Sequence, residues 1–555
     1  MPRFWCGGSD VATLYDFRKS ALPILRSGRC VRQQHLHGRI MNRHKLPIGI
    51  QTFRKIREDG CYYVDKTPYL RRLVDEGTHY LLSRPRRFGK SLLLDTLKEL
   101  FEGNESLFEG LDIHGHWNWS VRYPVVRLDF SSGDFKQPDY LHKDVMAQLS
   151  AIEDEAAVTG RYDTAPARFR HLLQALHRQA GQRVAVLVDE HDKPILDALD
   201  TPEAARANGD FLRGLYSTIK ASDAHIKFTF LTGVSKFSKV SLFSGLNNLI
   251  DITLDPRHSA ICGYTDADLD KVFAPELPGL DREAVRDWYD GYNWRGEENV
   301  YNPFDILLLF RNREFGAYWF ETGTPSFLVE TLIGREVGSP ALDSMLGTSE
   351  LLSAFDVDEM TTEALLFQTG YLTVRDVDDM GGSPLYRLGY PNREVRQSLN
   401  QSLLRAMTPD ASRQLTHGVR LTQLLAANDF GGLEVLFRAF FSSIPYEWHT
   451  RNDIARFEGY YASVFYSHFA AAGLDVAVED SSSHGRVDMA VRFNRHVYLF
   501  EFKVVELAPE GAAMEQLKEK RYAEKYRHLG EPIHLVAVEF SRETRNLVGF
   551  EVARA

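Results

Sequence analysis

The chain has 555 residues, and its 66 Lys/Arg against 76 Asp/Glu give a formal net charge of −10. With 44% hydrophobic and 26% charged residues, the composition is that of an ordinary globular protein, which excludes collagen-like, disordered and disulfide-scaffold classes. At roughly 150 residues per domain the length predicts three or four domains. Cys6, Cys30, Cys61 and Cys262 show no paired spacing, which argues for a reducing, cytoplasmic setting and against a zinc site. No apolar run reaches the roughly 18 residues that a membrane span needs. The mild acidity leaves nucleic acid open as a partner, because local patches matter more than the total.

Residues 1–45 hold nine Arg/Lys against two Asp/Glu. This stretch reads as a basic tail, as an Arg-rich leader, or as the product of a start codon placed too early, with Met41 preceding the first well-patterned segment.

From 46 to 255, strands and helices alternate. Tyr80–Ser83 is a short apolar run, Arg84–Ser91 follows, and Leu92–Leu97 begins an amphipathic helix. A strand, a Gly-Lys-Ser loop and a helix make the context that a phosphate-binding loop requires. Arg86, Arg87, Phe88 and Gly89 would form the cradle at the helix N-terminus, where backbone N–H groups and the helix dipole favour phosphate. Lys90 would reach the β/γ-phosphates, and the Ser91 hydroxyl would ligate Mg2+. Arg84 stands where the usual pattern has its first glycine, which reduces backbone freedom there. Taken alone, the tripeptide also reads as a basic turn before a helix. Arg183–Glu190 is a continuous apolar strand closing on two acids, the kind that a parallel sheet covered on both faces uses. Asp189 is placed to hold Mg2+ through water, and Glu190 to polarise the attacking water. Paired acids at a strand end also serve as loop caps. Further strands at Tyr123–Phe130, Ile226–Leu231 and Leu249–Leu254, separated by helices such as Ala167–Gln179 and Asp210–Ser222, predict a doubly wound α/β sheet. Its ligands bind beyond the strand C-termini, where Ser83, Asp189 and Thr232 fall. Thr232, Ser235 or Lys236 would sense the γ-phosphate there, or would simply form strand-end turns.

Residues 256–440 read as a helical lid plus a small linker domain. Helices are expected at Glu283–Tyr289, Asn302–Phe310 and Ser326–Ile333, with strands at Gly370–Val374 and Leu385–Leu388. Trp288, Tyr289, Tyr292 and Trp294 are either base-stacking residues or, more commonly for such clusters, buried core.

Residues 441–555 open on a helix whose apolar positions are Phe457, Tyr461, Val464, Phe465, His468 and Phe469. Strands follow at Leu474–Glu479, Arg486–Phe493 and His496–Val505, then a helix over Gly511–Leu529, then strands at Ile533–Phe540 and Leu547–Val552. This order suits a restriction-endonuclease-like core. If Asn494 and Arg495 form a two-residue turn, Phe493 pairs with His496 and Asp488 falls opposite Glu501. Two carboxylates facing each other across a hairpin are destabilising unless something neutralises them, and a divalent cation does so. Lys503, two residues beyond Glu501, shares its face. Asp488 and Glu501 would hold Mg2+ or Mn2+, which polarises a phosphodiester and activates water, and Lys503 would position that water or offset charge in the transition state. A solvated edge-strand charge pattern is the alternative. Val497, Leu499 and Phe502 argue for burial instead, which makes unexplained ions costly.

Leu46–Phe53, Tyr62–Thr67, Arg84–Ser91, Val188–Pro194, Thr232–Lys239, Phe243–Leu249, Cys262–Thr265, Trp288–Tyr292, Tyr301–Phe304 and Gln368–Thr373 together resemble a prokaryotic AAA-ATPase-like family, with the motifs in order. The resemblance implies a P-loop NTPase sheet domain of the ASCE/AAA-like type, ATP and Mg2+ as cofactors, and Arg84 as a family habit. The last segment resembles the PD-(D/E)xK nuclease superfamily, in the branch usually fused to such an ATPase. By that resemblance Glu458 matches the acid on the first helix, and Gln516 with Tyr522 the motif on the following one; a solvated helix face is the alternative for Glu458 and Gln516.

The expected domains are therefore 1–45, 46–255, 256–440 and 441–555. The expected activity is ATP hydrolysis coupled to metal-dependent DNA cleavage. The alternatives are an ATP switch whose inactive nuclease-like domain only binds DNA or protein, and a signalling ATPase that oligomerises on ATP. ATP and DNA are the expected partners, a homo-oligomer is left open, and no membrane is expected.

Overall fold

The computed structural model describes residues 43–555, with the exception of 138, 161, 236–245, 247, 323–325, 336–338, 354–360, 408–410, 444–457 and 483–484 and of some further side chains inside helices and strands. The basic stretch up to Asn42 lies outside the described residues.

Five parallel strands, β1 (His79–Ser83), β2 (Val125–Asp129), β3 (Val184–Asp189), β4 (Ile226–Gly233) and β5 (Ile250–Asp251), form a sheet in the order 2-3-4-1-5. Both β1 and β3 are buried along their whole length, as continuous apolar strands between two helical layers must be. The Lys90–Phe101 helix packs on β3 and β4 from one register of the chain, and Ala165–Ala180 also packs on β3. Because β4 is inserted between β1 and β3, the strand leading into Gly-Lys-Ser and the strand ending in the two acids are next-but-one neighbours with the same direction. This is the AAA-like order. The expected strand at Leu249–Leu254 shrinks to Ile250–Asp251. It is an edge strand paired only with β1, Ile250 is half exposed, and the Asp251 side chain turns the chain by accepting from the Thr253 N–H at 2.9 Å.

The middle of the chain is mostly helical. Helices Asp266–Val272, Arg282–Tyr289, Pro303–Asn312, Ser326–Gly334, Thr362–Thr369 and Arg393–Met407 accompany a small antiparallel sheet of β6 (Met345–Thr348), β7 (Thr373–Met380) and β8 (Ser383–Gly389) in the order 6-8-7. Tyr289, Tyr292 and Trp294 are buried, so these rings serve the core and are closed to a base. The apolar core beneath the parallel sheet continues without a break into this region, through Tyr371, Leu388, Val395 and Leu399 to Leu403.

The carboxy-terminal sheet contains β9 (Asp475–Ser482), β10 (Gly485–Phe493), β11 (His496–Val505), β12 (Ile533–Ser541) and β13 (Leu547–Arg554) in the order 13-12-11-10-9. Only β11 and β12 run parallel, and the crossover that this demands is supplied by the helix Ala512–Glu519 and the 3-10 turn Tyr522–Leu529. The single helix expected over Gly511–Leu529 is broken because Arg521 adopts φ +49°, which an α-helix cannot include. Ala513, Met514, Leu517 and Tyr522 cover one sheet face. On the other lie the Glu458–Ala471 helix and the helices Ala411–Ala427 and Phe430–Phe441, contributing Leu421, Leu424, Phe437 and Phe440. Among the described residues no helix is long and apolar enough to cross a membrane.

Candidate functional site

β1 delivers the chain to the loop at Ser83, whose N–H donates to Thr253 Oγ1 at 3.0 Å and whose hydroxyl donates to the Ser235 carbonyl at 3.1 Å. Arg84 then turns inward and is almost completely buried. Its guanidinium donates to the carbonyls of Ser83, Thr253, His258 and Ser259 at 2.9–3.3 Å and lies 4.1 Å from the Trp294 ring centre. Burial pushes its pKa down to about 10, so it remains a cation at neutral pH. At the first loop position, therefore, this chain has a buried tie where freedom of the backbone was expected to matter.

Gly89 caps the following helix at φ +94°, a conformation that glycine adopts without strain. Lys90 opens the helix, and its Nζ donates to the carbonyls of Arg84 at 3.0 Å and Pro85 at 3.2 Å. The ammonium is thus folded over its own loop. The Arg86 and Arg87 side chains are exposed. Phe88 is buried, edge-on to Tyr292 and Trp294 with ring centres 4.8 and 5.4 Å away, so only its backbone is available to a ligand. Ser91 is the second helical residue and is half-buried.

At the end of β3, Asp189 is buried. Its Oδ1 accepts from the Thr232 hydroxyl at 2.7 Å, while Oδ2 accepts no hydrogen bond among the described residues and has Arg127 Nη2 at 3.5 Å. Thr232, offered with Ser235 and Lys236 as a γ-phosphate sensor or a strand-end turn residue, is fully buried, and its hydroxyl donates to Asp189 and so orients that carboxylate. Glu190 has φ +52°, a strained backbone of the kind that persists where the surroundings over-determine it. Burial raises its pKa, and the Lys90 charge opposes that rise, so the two groups feel each other across the site. Asp192 ties down the exit of β4, accepting from the N–H groups of Val234 at 3.0 Å and Ser235 at 2.5 Å and from the Ser235 hydroxyl at 2.7 Å. A Cβ on Gly233 would stand 2.5 Å from Asp192 Oδ1, so this close approach needs glycine. Lys236 lies outside the described residues.

In the carboxy-terminal sheet, Asn494 and Arg495 take φ values of +50° and +62°, the signature of a type I′ hairpin turn. The ladder runs from Phe493↔His496 to Met489↔Phe500, one step short of Asp488 and Glu501. Asp488 Oδ2 accepts from the Phe502 N–H at 2.8 Å. Glu501 is fully buried. Its Oε1 accepts from Gln516 Nε2 and lies 3.5 Å from Lys503 Nζ, and its Oε2 has no hydrogen-bond partner among the described residues. Gln516 also contacts the Tyr522 hydroxyl at 3.4 Å. Burial, and after it the Asp488 charge, pushes the Glu501 carboxyl up to about 8, with Lys503 opposing. The structure thus brings Asp488, Glu501, Lys503 and Gln516 together. Glu458 opens the Glu458–Ala471 helix, and its side chain lies outside the described residues.

A buried acid with an orphan oxygen beside a second carboxylate fits a divalent cation, which would remove the cost of ionising the pair. Among the described residues no group of three or more His, Cys, Asp or Glu side chains is arranged to hold a metal.

Three contributors escaped the sequence reading. Arg127 bridges Asp95 at 2.8 Å and Asp129 and Asp189 at 3.5 Å. Asp192 lies inside a quoted motif but had no assigned role. Glu539 accepts from the N–H groups of Glu510, Gly511 and Ala513 at 2.7–3.3 Å and so fixes the start of the helix bearing Gln516. The signal for Glu539 was the one that marked Glu501, an acid inside an apolar strand.

Comparison with known proteins supports the two-part reading. The family described as "Predicted AAA-ATPase" matches residues 47–243, and the "PD-(D/E)XK nuclease superfamily" matches 456–550. The chain is also similar to an uncharacterized protein in the vnfD 5′ region of Azotobacter chroococcum mcd 1, at 60% identity over 516 residues, covering 92% of this chain and 99% of the relative. The chain accordingly belongs to the predicted AAA-ATPase family and carries a PD-(D/E)XK nuclease superfamily domain in its carboxy-terminal part.

Proposed function

We propose that this protein binds and hydrolyses ATP with Mg2+ at the Arg86–Ser91 loop and cleaves DNA in a metal-dependent reaction at Asp488, Glu501 and Lys503. What carries the reading is that Lys503 and Gln516 both reach one oxygen of the buried Glu501 carboxylate, with Asp488 beside it, while the other oxygen has no hydrogen-bond partner among the described residues. For the nucleotide, Lys90 would leave the Arg84 and Pro85 carbonyls for the β/γ-phosphates, Ser91 and Asp189 would hold Mg2+, and Glu190 would orient the attacking water. The raised Glu190 pKa makes it a better proton acceptor than an ordinary surface carboxylate. In the nuclease-like domain Asp488 and Glu501 would hold the metal, Mg2+ or Mn2+, which when bound polarises the phosphodiester and lowers the pKa of its water. Lys503 and Gln516 would keep the Glu501 carboxylate oriented, and Glu458 would add a further acid from its helix. Exposed Lys518, Lys520, Arg521, Lys525 and Arg527 follow on the same crossover and would contact DNA phosphates.

The test is incubation of purified protein with plasmid DNA, with and without ATP and Mg2+ or Mn2+. Wild type should cut only with metal, and Asp488→Ala should lower cleavage at least about 100-fold. Lys90→Ala should lose ATP binding. Cleavage unchanged in Asp488→Ala rejects this centre. Calorimetry showing no Mn2+ uptake would favour the inactive, binding-only domain instead.

A further inference from the structure

Beyond the Arg84 bonds to Gly233 of β4 and Ser83 of β1, the phosphate loop is gripped from outside the parallel sheet. Arg84 is tied to Thr253, His258, Ser259 and Trp294. Pro85 packs so closely on Gly370 that a Cβ there would stand 2.6 Å from its own. The Arg86 carbonyl accepts from the Trp319 indole N–H at 3.1 Å, the Arg87 guanidinium lies 5.0 Å from the Phe304 ring centre, and the Phe88 carbonyl accepts from the Gly263 N–H at 3.3 Å. A nucleotide that displaces Lys90 from the loop carbonyls therefore acts directly on the middle region.

One of these grips is built on two acids that the proposed chemistry does not use. The Trp319 backbone N–H is shared between Asp305 Oδ1 at 2.8 Å and Glu394 Oε1 at 2.9 Å, and Glu394 Oε1 also accepts from the Phe320 N–H at 3.1 Å. Both acids are buried. Burial raises both, Glu394 to about 7. A buried carboxyl pair is expensive, and what it does here is seat Trp319.

Glu394 is the second residue of the helix Arg393–Met407. That helix places Val395, Leu399 and Leu403 in the core shared with the parallel sheet and Leu404 in the core of the carboxy-terminal sheet. It packs along Glu458–Ala471, with Gln401 Nε2 donating to the Ala471 carbonyl at 3.0 Å. From there Phe465 meets Phe500 and Phe502, ring centres 6.3 and 5.1 Å away, the two residues that flank Glu501 on β11. We infer that Trp319, seated by Asp305 and Glu394, couples the state of the phosphate loop to the nuclease-like centre through the Arg393–Met407 helix. This rests on the reading that the loop binds ATP.

The experiment is hydrogen exchange of the full chain with and without a non-hydrolysable ATP analogue, with analogue binding measured in parallel. In wild type the analogue should change exchange at least about threefold in Glu458–Ala471 and in β11. Trp319→Phe, which keeps the ring but loses the indole N–H, should still bind the analogue and lose that change. Glu394→Leu, which removes the acceptor of the Trp319 and Phe320 N–H groups, is a second variant and should do the same. Should one variant fail to fold, the other decides. A full response in a folded variant overturns the coupling role, as does a wild type that binds the analogue with no response in those segments. A wild type that takes up no analogue overturns the nucleotide reading, and this inference with it.

Discussion

Glu501 shows how far a single residue can be read. Its place within an apolar strand, two residues from Lys503, was visible in the sequence. Its carboxyl is pushed up to about 8 because the strand is buried and Asp488 stands near. A folded-state pKa above the unfolded value of 4.5 means that the folded chain holds this proton more tightly than the unfolded one. The stability contribution is then full below about pH 4.5 and is lost as the pH rises through about 8. Metal-free protein should lose stability across that window in urea titrations. Glu501→Gln should flatten the slope, and Mn2+ should offset the loss in wild type but not in Asp488→Ala. Arg84 and Thr232 were less legible. Sequence shows an arginine in a glycine's place and a threonine at a strand end. It does not show the carbonyls of Thr253, His258 and Ser259 that surround the first, or the Asp189 carboxylate that takes up the second.

At the scale of elements, the β10–β11 hairpin decides whether the acids meet. A two-residue turn at Asn494 and Arg495 set the expected register, and the ladder from Phe493↔His496 to Met489↔Phe500 agrees with it. Asn-Arg is a weak turn signal, yet both residues adopt positive φ because a type I′ turn matches the twist of the flanking strands. Arg495 carries the strain of that conformation, which glycine would not. Arg495→Gly should stabilise the protein by about 0.5–1 kcal/mol, measured by urea unfolding, with the register unchanged. Where periodicity misled, a local backbone event overrode it. Positive φ at Arg521 ends the helix expected to reach Leu529, and a single pairing partner leaves β5 two residues long.

For the whole molecule, the Arg393–Met407 helix belongs to two cores at once. Leu399→Ala would remove a fully buried side chain at this junction, at a cost of about 2–5 kcal/mol. Because both cores lean on the helix, calorimetry should show the two major transitions moving down together; a shift confined to one would mean the cores are independent. The sequence by itself determined the parallel sheet, the order of its motifs and the shared face of Glu501 and Lys503, because strand period and loop chemistry are local properties. The tertiary structure alone decided that Arg84 is a tie, that Thr232 serves Asp189, and that Trp319 and Glu394 link the loop to a distant helix. Those roles depend on partners more than 40 residues away, and such partners are chosen by packing, which leaves no periodic trace in the chain.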